Sequence, residues 1–176
     1  MSGAPARDDA VADPAGGAPL AWSDAFVLGH EPIDATHREF VALVGALQAA
    51  PEDRLPALLA ELEAHARRHF GDEDRWMLET DFPPRDCHID EHAAVLRSIE
   101  EVRAHVAGTG DAHEARRLAD ALAGWFPGHA DWLDSALAHW LCKRAYGGKP
   151  VIVRRDLVGR RAEEGADPDS GAHGAR

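Results

Sequence analysis

HFGDEDRWMLETDFPPRDCHIDEH, residues 69–92, decides how the rest of this chain is read. It opens with His69 and Glu73, four positions apart, and closes with His88 and His92, again four apart. At 3.6 residues per turn, positions i and i+4 lie about 40° apart on one helix face. Between the pairs, Asp81-Phe82-Pro83-Pro84 stops any helix: proline lacks an N–H and drives the residue before it out of helical backbone. The stretch is therefore the end of one helix, a tight break and the start of the next, with a pair of polar donors on each side.

Working outward, the helix that ends here begins near residue 52 and runs to about 80, with Leu55, Leu58, Leu59, Leu62, Ala66, Phe70 and Met77 on one stripe. The helix that begins here spans about 86–107, carrying Val95, Leu96, Ile99, Val102 and Val106, and Gly108-Thr-Gly110 closes it. Upstream, Phe40, Val41, Val44 and Leu47 mark a helix over about 33–49, ended by Pro51. Downstream, Asp111 is the expected N-cap of a helix over about 112–140, with Leu118, Leu122, Trp125, Trp132, Leu133 and Leu137 on its apolar stripe. Four amphipathic helices joined by short connections predict an all-α fold, an antiparallel up-down-up-down four-helix bundle over 21–142. Extended segments flank it: 1–20, rich in Ala, Gly, Pro and Asp and expected to be disordered, and 143–176, a basic then loose tail. The only strand-like signal is the short apolar run at 150–153.

Bulk properties narrow the function classes. The 176 residues suit one domain with tails, and a 45% apolar content supplies a core. No apolar run is long enough to cross a membrane, and the N-terminus has neither the basic start nor the apolar stretch of a secretory signal. Two cysteines do not make a disulfide framework, so a reducing, cytoplasmic setting with free Cys87 and Cys142 thiols is expected. A net charge of −12 argues against a nucleic-acid partner. The 11 histidines against a single tyrosine stand out, since histidine is the commonest metal ligand.

Topology gives those histidines meaning. In an antiparallel bundle the start of helix one, the end of helix two, the start of helix three and the end of helix four share one end. His37 opens the first helix, His69 and Glu73 lie late in the second, His88 and His92 open the third, and His129 and Asp134 lie late in the fourth. All seven thus reach one level. Any single pair is ordinarily a solvated face, but seven buried donors in one layer would each cost free energy without a partner, and a metal offsets that cost. Five imidazoles and two carboxylates without thiolates exceed one tetrahedral zinc and suit two near-octahedral ions, with iron the usual occupant of bundle cores.

The pattern resembles the bacteriohemerythrins. The residues that carry the likeness are His37 after Ile33-Asp34, His69-x-x-x-Glu73, His88-x-x-x-His92 and Trp125-x-x-x-His129-x-x-x-x-Asp134, with Trp22, Gly29, Met77 and Pro83 around them. It covers about 22–140. The resemblance implies two non-haem iron ions bridged by Glu73, Asp134 and an oxo or hydroxo group. It implies His88, His92 and His129 on one iron, and His37 and His69 on the other, whose open position takes dioxygen reversibly. Phe126 and Trp125 are candidate walls of that dioxygen pocket. A carrier, storage or buffering protein is the leading reading. An oxygen or redox sensor acting through a partner, and an enzyme handling peroxide or nitric oxide, are the alternatives.

One feature departs from that pattern, and one spacing within it departs from regular helix geometry. Pro127-Gly128 precedes His129, and a mid-helix proline predicts a kink or restart there. His129 and Asp134 would lie about 140° apart on a regular helix, which a π-type widening would correct. Among the other histidines, His65 and His139 read as polar core neighbours or supports for the ligands, and His30, His105, His113 and His173 as surface residues. Trp132 and Trp140 read as core packing. Seven basic residues against one acidic between Lys143 and Arg161 make a patch for a protein partner or membrane surface, or a tail that folds back on the acidic body.

Overall fold

The computed structural model describes residues 18–147. Most of both expected terminal segments, together with the apolar run at 150–153, His173 and five of the seven basic residues of the 143–161 patch, lies outside the described residues. Helix α1 spans Glu31–Ala49, α2 Leu55–Glu79, α3 Arg85–Thr109 and α4 Ala112–His129; one π-helical turn, Ala130–Asp134, joins α4 directly to α5, Ser135–Tyr146. The last three form one continuous rod, so the architecture is an all-α four-helix bundle with no strand among the described residues. Helix α1 packs on α2 and α4, and α3 on α2 and α4.

Local chemistry sets the ends of these rods. Pro32 and Pro56 stand in the first turns of α1 and α2, where a missing N–H costs nothing. Gly110 ends α3 in left-handed backbone at φ 72°, its N–H donating to the Val106 carbonyl at 2.8 Å. The Asp111 carboxylate caps α4 by accepting from the His113 N–H at 3.0 Å. The Arg116 guanidinium donates to the Leu47 and Ala50 carbonyls, so α4 closes the open end of α1.

Two apolar clusters fill the interior. The larger joins Phe40, Val44, Leu47, Leu55, Leu59, Leu62, Ile99, Val106, Leu118, Leu122 and Phe126. The smaller joins Ile33, Met77, Phe82, Leu137 and Ala138. Ahead of α1, the chain is strapped along the bundle. The Leu20 N–H donates to Gln48 Oε1 at 2.7 Å, and a Cβ at Gly45 would collide with the Leu20 carbonyl. The Asp34 carboxylate holds the other end of the strap, accepting from the Leu28 and Gly29 N–H groups at 2.7 and 3.0 Å.

The fourth rod corrects three sequence expectations. Helix α4 runs through Pro127 without a restart, and the departure from α geometry comes after His129 instead. Trp132, expected on the apolar stripe, is 77% exposed. The π turn carries one extra residue, which rotates the inward position from 133 on to Asp134 and turns Trp132 to solvent. His139 is exposed for the same change of register, whereas His30, expected at the surface, is half-buried against the Trp76 ring.

Candidate metal centre

All seven residues picked from the sequence are buried, and the structure brings them together. One ligand atom each from Glu73, His88, His92, His129 and Asp134 falls within 4.8 Å of all the others, and His37, His69 and Glu73 form a second such group. Four rods supply them: His37 from α1, His69 and Glu73 from α2, His88 and His92 from α3, His129 from the end of α4 and Asp134 from the π turn. The π turn is what allows the last two to converge. His129 Nε2 and Asp134 Oδ1 are 3.3 Å apart, although five residues of regular helix would set them about 140° apart.

Within the first group the imidazoles point at one another. His88 Nε2 lies 3.3 Å and His92 Nε2 3.2 Å from His129 Nε2. The two carboxylates each divide their oxygens between the groups. Glu73 Oε1 is 3.1 Å from His69 Nε2 while Oε2 is 3.3 Å from His92 Nε2. Asp134 Oδ1 is 3.0 Å from His88 Nε2 while Oδ2 is 3.0 Å from His37 Nε2. The His37 contact is too poorly aligned to be a hydrogen bond; both nitrogens of His37, both oxygens of Asp134 and Glu73 Oε2 are buried without a hydrogen-bond partner among the described residues.

Such atoms cost free energy when dry, of the order of 1–3 kcal/mol each. A cation is the partner this donor set fits: imidazole lone pairs and carboxylate oxygens converge, with no thiolate among them. Electrostatics agree for the chain alone. Burial and the Asp134 charge work to raise the Glu73 pKa, but the His69 and His92 rings outweigh them and lower it to about 2. Burial likewise opposes ionisation of Asp134, yet His129, His37 and His88 hold it well below the usual carboxylate range. Burial would lower His92, but Asp74 and Glu73 raise it to about 9. Both carboxylates are anions held ready for positive charge.

Around this layer stand Asp74 and Glu91, to which the sequence reading gives no role, together with Trp125, Phe126 and His65, to which it does. His92 Nδ1–H donates to Asp74 Oδ1 at 2.8 Å, and His129 Nδ1–H to Glu91 Oε1 at 3.0 Å. Glu91 Oε1 also accepts from Trp125 Nε1–H at 2.7 Å. Asp74 and Glu91 each adjoin a proposed ligand in the stretch 69–92. Adjacency was the available signal, because a neighbouring residue lies about 100° round the helix and so faces the next rod. Trp125 packs its ring on His129, with centroids 4.3 Å apart, and Phe70 stacks on His92 at 4.2 Å. Phe126 stands edge-on to His37 at 5.1 Å, with Phe26 of the strap behind it at 5.1 Å. His65 is buried beside His69, its Nδ1 3.3 Å from Glu39 Oε2, and burial lowers its pKa to about 4.

Comparison with known proteins meets this geometry from outside. Residues 28–141 match the hemerythrin HHE cation binding domain. A bacteriohemerythrin of Ralstonia nicotianae is 39% identical over 125 residues, which cover 71% of this chain and 90% of that protein. The chain belongs to the hemerythrin family.

Proposed function

We propose that the chain binds dioxygen reversibly at a pair of iron ions held by His37, His69, Glu73, His88, His92, His129 and Asp134. The observation that carries this reading is the division of oxygens: Glu73 and Asp134 each present one oxygen to the three-imidazole group and one to the two-imidazole group. A carboxylate bridge shared by two cations would use that arrangement, and it supports two ions over a single one. Two irons there would supply the pair of electrons that reversible dioxygen binding draws on. His88, His92 and His129 would give one ion three nitrogens and His37 and His69 would give the other two, so an open position for dioxygen would fall on the His37 side. Phe126 and Phe40 pack against those two rings and keep that side apolar, which excludes water and the protons that oxidation of the centre would need. This favours storage, delivery or buffering of dioxygen over turnover of peroxide or nitric oxide. The free thiols of Cys87 and Cys142 fit a reducing, cytoplasmic setting.

The test is metal content and an optical spectrum. The purified chain should hold close to two irons, and the reduced protein should gain a visible charge-transfer band under oxygen that disappears on degassing. One iron per chain, or a spectrum that oxygen changes irreversibly in a single exposure, would sink the proposal.

A further inference from the structure

We propose that Asp74 and Glu91 are positioning residues that make the two halves of this centre unequal, fixing the three-imidazole ion and leaving the two-imidazole ion exchangeable. The inference rests on the two-ion reading above and adds to it residues outside the ligand set.

The braces run from each rod to the next. Asp74 on α2 accepts from His92 on α3, and Glu91 on α3 accepts from His129 on α4. A hydrogen bond at Nδ1 settles which nitrogen carries the proton, so the Nε2 lone pair is free and aimed at the ion; an ionised acceptor also raises the donor strength of that lone pair. Both carboxylates also reach the surface, Asp74 with 29% and Glu91 with 40% of its side chain exposed. Ring packing locks the same imidazoles a second time, through Phe70 on His92 and Trp125 on His129, and Trp125 is itself tied to Glu91. Among the described residues no such hydrogen bond braces the other half: Nδ1 of His37 and Nδ1 of His69 are buried without a hydrogen-bond partner, and those rings are oriented by packing. His88 Nδ1 is bare as well, which leaves Asp74 and Glu91 as the two anions that distinguish the halves.

The experiment is chelator-driven release from the full chain loaded with ferrous iron, followed by absorbance of the iron–chelator complex. The unmodified chain should release iron in two phases of about equal amplitude. Asp74→Asn and Glu91→Gln keep an acceptor of the same shape and remove the charge. Each should speed the slow phase by about 10–100-fold and leave the fast phase unchanged. Asp74→Ala, which removes the acceptor too, should speed it further. Asp72→Asn, at an exposed carboxylate paired with Arg75, should change neither phase. Melting of the metal-free variants should match that of the metal-free parent, separating ligand positioning from a folding defect. A single phase in the parent, equal acceleration of both phases, or no acceleration would overturn the inference. A chain that purifies with one iron or none would instead overturn the two-ion reading on which it stands.

Discussion

Two neighbouring layers of one bundle are filled by opposite means. In the larger apolar cluster, Phe40, Val44, Leu47, Leu59, Leu62 and Ile99 are fully shut from water and need only one another. In the candidate metal layer, seven buried side chains turn lone pairs and negative charge toward a shared centre, and several of those atoms have no hydrogen-bond partner among the described residues. Burying a CH2 group contributes about 0.8 kcal/mol whatever else is bound. Burying a carboxylate costs free energy until a cation or donor meets it. The first layer therefore supplies stability unconditionally, and the second returns it only with its ligand. The smaller cluster of Ile33, Met77, Phe82, Leu137 and Ala138 gives the chain more apolar packing, drawn from three of the rods and, through Phe82, from the break between α2 and α3.

The largest effect that separates the layers should come from Glu73→Ala. It removes the anion whose two oxygens serve both groups and would leave the two proposed cations repelling each other in a site of low dielectric. We expect loss of the paired iron site and a melting temperature close to that of the chelated parent, with helical circular dichroism preserved by the apolar cluster. Metal held at about 1,000 times its dissociation constant contributes roughly 4 kcal/mol, and that is the scale of the expected loss. A Glu73→Ala chain that keeps two irons would remove the contrast altogether.

Leu59→Ala tests the other layer. Leu59 is fully buried in the larger cluster, and truncation there should cost about 2–5 kcal/mol through lost transfer energy and a residual cavity. The difference from Glu73→Ala lies in what accompanies the loss. Iron per folded chain should stay near the parent value, and the destabilisation should be the same with and without metal. A Leu59→Ala chain that sheds its iron selectively would show the layers to be coupled.

Much of this contrast was legible in the sequence, because both layers obey helical spacing. The i and i+4 pairs around Asp81–Pro84, and the rule that antiparallel rods share ends, place all seven donors in one layer before any coordinates are seen. The fourth rod was less legible. Pro127 is a strong local signal for interruption, yet tertiary packing of Phe126 against Phe40, Phe26 and His37 holds the helix through it. Trp132 was misplaced because regular 3.6-residue counting does not foresee how one π turn moves every residue beyond it, even where the turn itself is suggested by the His129–Asp134 spacing. Asp74 and Glu91 were hidden for another reason. Charged residues beside a ligand read as solvated face, and only the packing of α2 on α3 and of α3 on α4 shows what they reach.

A smaller effect should come from Glu63, whose two oxygens meet Arg67 on the same helix and Arg103 on α3. Burial would raise its pKa, but the two guanidinium groups outweigh burial and hold it below the ordinary 4.5. Because the folded value is the lower one, the ionised cluster stabilises the fold above about pH 4.5, and that stability is lost as the pH falls through the folded value. Both arginines are about half exposed, so Glu63→Gln should cost no more than about 1 kcal/mol at neutral pH. Chemical denaturation of the metal-free chain between pH 3 and 7 checks this: the difference between parent and variant should shrink toward zero at the acid end. A difference that does not change with pH would assign the loss to packing.

The smallest effect is expected from truncation after Gly147, where α5 has ended in left-handed backbone at φ 72°. All the proposed ligands lie between His37 and Asp134, so iron content and oxygen binding should be unchanged. The removed segment carries five of the seven basic residues of the 143–161 patch, and an electrostatic contribution from it would be screened over about 8 Å at physiological ionic strength. Any stability the segment lends should therefore fall as salt is raised, and parent and truncated chains should converge in melting temperature. Val151, Ile152, Val153, Leu157 and Val158 supply the opposing argument, since apolar side chains gain free energy by covering apolar surface irrespective of salt. Exposed Tyr146, at 80%, and Trp132 offer such surface on the fourth rod. Salt-independent destabilisation together with faster iron release on truncation would mean that the segment covers the metal end, and the unequal layers would then share a third element.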